Sequence, residues 1–138
     1  MRVLAVGCHP DDLEIACGGT LRKYVEQGAE VYMCHVANGC LGHVIIEPEE
    51  LRIIRTKEAE NAGAIIGAKE VINLDVPDLE VHSHNFEVMD AMADVVRFVR
   101  PDVMITHNPD DYMLDHTETS IIATNGAFCS GLNHRPRK

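Results

Sequence analysis

The chain has 138 residues, of which 46% are hydrophobic and 25% charged, a size and balance that suit one globular domain, 1–138, built around a single core. Twelve Lys and Arg stand against 22 Asp and Glu, and the net charge of −10 excludes a basic stripe for nucleic acid and disfavours an anionic membrane surface. No apolar run approaches the ~20 residues of a transmembrane helix, and the short apolar start, residues 3–8, runs straight into Asp11 and Asp12 without the form of a signal peptide.

Residues 2–8 are apolar on both faces and predict a buried first strand. Residues 12–27 predict a helix, with Leu13, Ala16, Cys17, Leu21, Tyr24 and Val25 recurring at helical steps and Gly28 just past its end. A second strand follows at 30–36. Pro48 opens a second helix whose buried face carries Leu51, Ile54, Ala62, Ile65 and Ile66, and Gly67 stops it. Residues 71–74 form a short third strand. A third helix, striped by Phe86, Met89, Met92, Ala93, Val96 and Val99, ends before Pro101. Residues 103–106 give a fourth strand, and Asp115 with Glu118 three residues on predicts a capping-box start to a fourth helix. The tail, 133–138, is polar and basic and adds no fifth strand.

Strict alternation of strand and helix implies a Rossmann-like α/β domain, a parallel sheet with helices on both faces, in the order 3-2-1-4. Ligands in such sheets bind outside the carboxyl ends of the strands, where strand order reverses. The polar residues collect there: His9, Asp11 and Asp12 after the first strand, His35 and Asn38 at the second, Asp75 and Asp78 after the third, His107, Asp110, Asp111, Asp115 and His116 after the fourth. Neither GxGxxG nor a P-loop follows the first strand, and acidic residues at the first helix start oppose pyrophosphate binding. Two imidazoles and a carboxylate, His9, His116 and Asp12, can supply three ligands and leave one position for water, the pattern of a catalytic zinc site. Spacing alone equally permits a plain turn with an acidic helix N-terminus at Pro10-Asp11-Asp12. Five cysteines, Cys8, Cys17, Cys34, Cys40 and Cys129, are odd in number and lack CxxC spacing, which predicts reduced thiols and a cytoplasmic location.

The segment AVGCHPDDLEIACGGTLRKYVEQG resembles the N-terminus of the PIG-L/LmbE family of zinc-dependent N-deacetylases. THNPDDYMLDH resembles that family's second motif, and RTKEAENAGAIIGA followed by LDVPD its middle segment; the resemblance extends to about Ala127. It implies that His9, Asp12 and His116 bind Zn2+ or another divalent metal. It implies that Asp11 is the general base, and that Arg55 lies near the substrate. The implied reaction is hydrolysis of an N-acetyl group on a small N-acetylglucosamine-type substrate, as in relatives that act on sugar–inositol, sugar–malate, chito-oligosaccharide or glycosylphosphatidylinositol precursors. Asp115 is either a capping or an outer carboxylate beside the metal ligands.

Two departures from the family accompany it. Where many members have a histidine three residues before the last ligand, this chain has Met113, which neither donates a hydrogen bond nor carries charge. Either Tyr112, Arg55 or His107 is then expected to take that role, with the catalytic Arg55 foremost because its guanidinium is always charged, or turnover is weakened. The C-terminal part of the usual fold is expected to be missing, and apolar surface left by it favours a homo-oligomer. A non-catalytic metal- or sugar-binding remnant, and a subunit whose site another chain completes, are the competing readings. His43, His82, His84 and His134 are expected on the surface.

Overall fold

The computed structural model of the chain describes residues 1–132, so residues 133–138, and His134 among them, lie outside it. The order is β1 (Arg2–Gly7), α1 (Asp12–Glu26), β2 (Glu30–Ala37), α2 (Pro48–Ile66), β3 (Glu70–Val76), α3 (Phe86–Val99), β4 (Val103–Thr106) and α4 (Leu114–Ser130). All strand pairs are parallel and the sheet runs β3-β2-β1-β4, as the alternation predicts. The two central strands are almost wholly buried, which is why they read as continuous apolar runs rather than alternating ones.

Side chains of the central strands divide between two cores, one on each face. Val3, Ala5, Val31 and Met33 pack with Leu13 and Leu21 of α1 and Ile66 of α2. Leu4, Val6, Cys34 and Val36 pack with Met89, Met92, Val96 and Val99 of α3 and Ile122 of α4. α3 and α4 approach closely at Gly126, where an added Cβ would run into the Met92 side chain.

Helix ends follow local chemistry. Pro48 sits in the first turn of α2, and Gly67 takes the left-handed conformation that ends it (φ 88°). α3 is capped by Asn85, whose side chain accepts the Glu87 N–H, and it ends on Arg100 just before Pro101. The expected capping box of α4 is absent. The helix starts at Leu114 with no side-chain cap, and the Glu118 carboxylate turns away to accept the Ser83 N–H at 2.5 Å. Three expected core positions also face water: Ala16, Ile65 and Phe86 are exposed. In α2 the buried residues are Leu51, Ala59, Gly63 and Ile66, so the packed stripe passes one position to the side of Ile65.

β1 and β4 being neighbours, the residues that follow them meet at the carboxyl edge of the sheet. The β2–α2 connection, residues 38–47, forms the opposite bank of the resulting cleft. It is pinned by the buried Asp78 carboxylate, which accepts the N–H groups of Gly39 (2.8 Å) and Leu41 (2.9 Å).

Candidate metal centre

Asp12 lies at the middle of the cluster. At the first turn of α1, its Oδ2 accepts the backbone N–H of His9 at 2.7 Å, which closes the His9-Pro10-Asp11-Asp12 turn. His9 Nδ1 stands 3.4 Å from Asp12 Oδ2, and His116 Nε2 stands 3.3 Å from Asp12 Oδ1. Ligand atoms on a tetrahedral zinc ion with bonds of about 2.1 Å are about 3.4 Å apart, so each imidazole nitrogen already keeps the spacing of a co-ligand of Asp12.

The far nitrogens of the two rings are held by carboxylates. His9 Nε2–H donates to Asp115 Oδ2 at 3.2 Å, and the same oxygen accepts the Leu79 N–H at 2.8 Å. His116 Nδ1–H donates to Asp111 Oδ1 at 3.1 Å. These contacts place a carboxylate at the outer nitrogen of each ring and turn the other nitrogen toward Asp12, the layout of carboxylate–histidine–metal arrangements. Asp115, only 3% exposed, thus touches His9 rather than its sequence neighbour His116.

Two further groups border the cluster. His107 Nε2 lies 3.4 Å from Asp12 Oδ2, but it accepts the Cys8 N–H at 2.9 Å, so its lone pair is already engaged. Its ring stacks on His116 with centroids 4.1 Å apart, which packs the His116 imidazole into one orientation. Cys8 Sγ lies 3.7 Å from His9 Nε2. Burial pushes the Cys8 thiol up from its ordinary range, and the hydrogen bond from His9 offsets this only in part. Geometrically, Cys8, His9 and Asp12, or Asp12, His107 and His116, can each converge on one ion. His9 and His116 each approach a different oxygen of Asp12, so the expected trio is gathered around Asp12 but is not itself one of the two convergent groups among the described residues.

The charges inside the cluster reinforce one another. Burial opposes ionisation of Asp12, yet its contacts with His107 and His9 outweigh burial and hold it well below the usual carboxylate range. Burial likewise disfavours a charged His9, but Asp12 and Cys8 prevail and raise it to about 11 in the metal-free protein.

Asp11 points into the cleft, half-exposed, with Oδ2 2.7 Å from Nη2 of Arg55. The same Nη2 donates to the Pro10 carbonyl, and Nη1 donates to Glu58 at 2.7 Å. Arg55 is therefore a clamp on the Asp11 turn. Met113 lines the cleft and bounds α4. Tyr112, 92% exposed, stands edge-on to the His116 ring at 5.5 Å, and its hydroxyl has no partner among the described residues. The cleft has a volume of about 520 Å³. His82 and His84 stack at 6.0 Å on the exposed loop before α3, outside the cleft lining.

The roles of Asp111, Asp78 and His43 carry no sequence signature, since each depends on how a loop folds back on itself. The stacked pair His107–His116 had a partial one, two histidines at the carboxyl end of one strand.

A family model described as PIG-L, GlcNAc-PI de-N-acetylase, matches residues 4–127. The diacetylchitobiose deacetylase of Thermococcus kodakarensis is 30% identical over 110 residues, covering 78% of this chain and 41% of that protein. The solved N,N'-diacetylchitobiose deacetylase of Pyrococcus horikoshii superposes with a TM-score of 0.89 at 29% identity, covering 96% of this chain and 51% of that one. The 4-carboxy-2-hydroxymuconate hydratase of Pseudomonas putida shares the fold, with a TM-score of 0.88 at 23% identity. The chain spans about half the length of the curated relatives it matches.

Proposed function

We propose that this chain, which belongs to the PIG-L family, is a metal-dependent hydrolase that removes the acetyl group from an N-acetylglucosamine-type small molecule, with zinc as the metal. The observation that carries this reading is the pair of imidazoles, His9 and His116, each with a carboxylate at its outer nitrogen and its other nitrogen 3.3–3.4 Å from an Asp12 oxygen. A related fold carrying a hydratase means that fold alone does not choose the reaction, so the reading rests on the family match and the residues of the site.

His9 Nδ1, an Asp12 oxygen and His116 Nε2 would hold the ion. When bound, the metal lowers the pKa of its water toward ~7 and polarises the amide carbonyl. Asp11 would accept a proton from the attacking water on a carboxylate oxygen as the water oxygen bonds to the acyl carbon. Arg55 fixes the Asp11 carboxylate against Pro10, so the base needs no reorganisation. Asp11 then returns the proton to the nitrogen as the C–N bond breaks, and acetic acid, which ionises to acetate in water, and a free amine leave.

The oxygen that gains charge needs a donor at the position where relatives carry histidine and this chain carries Met113. Arg55 is spent on Asp11, Pro10 and Glu58, and His107 on the Cys8 N–H and the His116 ring. Tyr112, whose hydroxyl is unengaged, is the donor we assign. The test is acetate release from an N-acetylglucosamine-containing substrate by zinc-loaded and by metal-free protein. Turnover only in the loaded form supports the reading; a fully loaded protein that releases no acetate makes it a binding remnant.

A further inference from the structure

His35, near the carboxyl end of β2, is fully buried and lies outside the metal cluster. In the parallel ladder it stands opposite Gly7 of β1, on the sheet face that carries Val31 and Met33 against α1 and α2. Glu14, in the first turn of α1, reaches in to it, with Oε2 3.7 Å from His35 Nε2. Both carboxylate oxygens and both ring nitrogens are shut off from water, and none has a hydrogen-bond partner among the described residues. Polar groups held dry are costly unless they answer one another, and here each residue has only the other to turn to. The contact therefore ties α1 to β2 at a fixed separation.

The preceding residue makes a second seat for the same turn. Leu13 lies so close to β1 that a Cβ added at Gly7 would stand 2.8 Å from Leu13 Cγ. The next residue, Ile15, is 83% exposed and faces water. The first turn of α1 thus rests on one rung of the β1–β2 ladder, Leu13 over Gly7 and Glu14 against His35. The Leu13 contact is apolar and has no directional preference, whereas the contact between carboxylate and imidazole is directional. Asp12 begins that same turn, and α1 has no side-chain cap to hold it.

We propose that Glu14 and His35 are positioning residues, whose buried contact sets the height of the α1 first turn above the sheet and with it the place of the Asp12 carboxylate between His9 and His116. This rests on the metal-dependent deacetylase reading. Neither residue touches metal or substrate; both act through Asp12.

The experiment uses Glu14→Met, which keeps the length of the side chain and removes its oxygens, and Glu14→Gln, which keeps one acceptor. Zinc affinity is measured by chelator competition. Gly126→Ala serves as the control, since it disturbs the α3–α4 contact on the opposite face of the sheet. Glu14→Met should weaken zinc binding about tenfold and Glu14→Gln about two- to threefold, whereas Gly126→Ala should melt lower and bind zinc as the wild type does. At saturating zinc, Glu14→Met should lower kcat several-fold and leave KM unchanged, because Asp11 shares the turn while the cleft wall stays in place. In the metal-free protein, amide exchange at Ile15, whose N–H donates to the Asp11 carbonyl at 2.9 Å, should quicken in Glu14→Met. Zinc affinity in Glu14→Met equal to that of the wild type, or reduced no more than in Gly126→Ala, would overturn the proposal while leaving the metal reading standing. If Glu14→Met does not fold, the same measurement on Glu14→Gln decides, and wild-type affinity there would overturn the proposal. If the wild type binds no zinc, the metal reading fails, and exchange at Ile15 in the metal-free variants still decides for or against the pair.

Discussion

Asp115→Ala is the perturbation that separates an orienting carboxylate from a helix-capping one. In the structure Asp115 Oδ2 accepts from two donors, the Leu79 N–H at 2.8 Å and the His9 Nε2–H at 3.2 Å, at a site only 3% exposed. Truncation leaves both donors without an acceptor. A buried donor left unsatisfied costs about 1–3 kcal/mol, so the metal-free variant should unfold at a lower temperature, by roughly 3–10 °C for a chain of this length. Loss of the carboxylate also frees the His9 ring to rotate and to move its proton to Nδ1. Removing such an outer partner typically weakens metal binding 10- to 100-fold, or about 1.4–2.8 kcal/mol. Zinc affinity measured by chelator competition, alongside thermal melts with and without zinc, reads both quantities. Asp115→Asn, which retains an acceptor oxygen, should keep most of the stability and lose part of the affinity. If Asp115→Ala melts lower but binds zinc as tightly as the wild type, Asp115 is a structural clamp on Leu79 and the orienting role assigned to it is wrong.

Asp11→Asn should retain zinc and lose about 10²–10⁴-fold in kcat, because an amide cannot accept the proton; loss of zinc instead would make Asp11 a ligand. Tyr112→Phe should lower kcat on the order of 10², and Met113→His should restore part of that loss in the double variant; strict additivity in this cycle would show that the two positions do not serve the same oxygen. Chelation of a protein held at zinc 100-fold above its Kd should lower stability by about 2.7 kcal/mol, measured as a drop in Tm that re-addition of zinc reverses. Gly126→Ala should cost about 1–3 kcal/mol in a denaturant titration, because the new methyl meets Met92 where α3 and α4 touch.

The architecture was legible because its signals are local or topological. Pro48 and Gly67 mark the bounds of α2 in the sequence itself, and parallel crossovers leave few strand orders open. The stripe of α3 read true for Met89, Met92, Ala93, Val96 and Val99, while Phe86 and Ile65 failed because a periodic pattern cannot say which of two adjacent residues meets the sheet. β3, read as residues 71–74, runs Glu70–Val76, since Glu70 pairs with Tyr32 and, past an irregularity at Asp75 (φ 60°), Val76 pairs with Ala37.

At the centre, the approach of the His9, Asp12 and His116 side chains followed from strand order once β1 and β4 are neighbours. What surrounds them did not. Asp115 pairs with a histidine 106 residues away rather than with the adjacent one, and Asp111 reaches back over the turn before α4. His43 was read as a surface residue; it is exposed, but two backbone N–H groups lock its ring at the cleft. Such contacts are set by loop conformation and side-chain rotamer, for which residue spacing carries no period to read.

A crystal structure of the zinc-soaked protein, with anomalous data collected across the zinc edge, reads the metal ligands directly. One strong site is expected, with His9 Nδ1, an Asp12 oxygen and His116 Nε2 as its protein ligands at about 2.0–2.2 Å and His107 still accepting the Cys8 N–H. A site ligated by His107 or by Cys8 sulfur at about 2.3 Å, or no ordered zinc at this edge of the sheet, would contradict it.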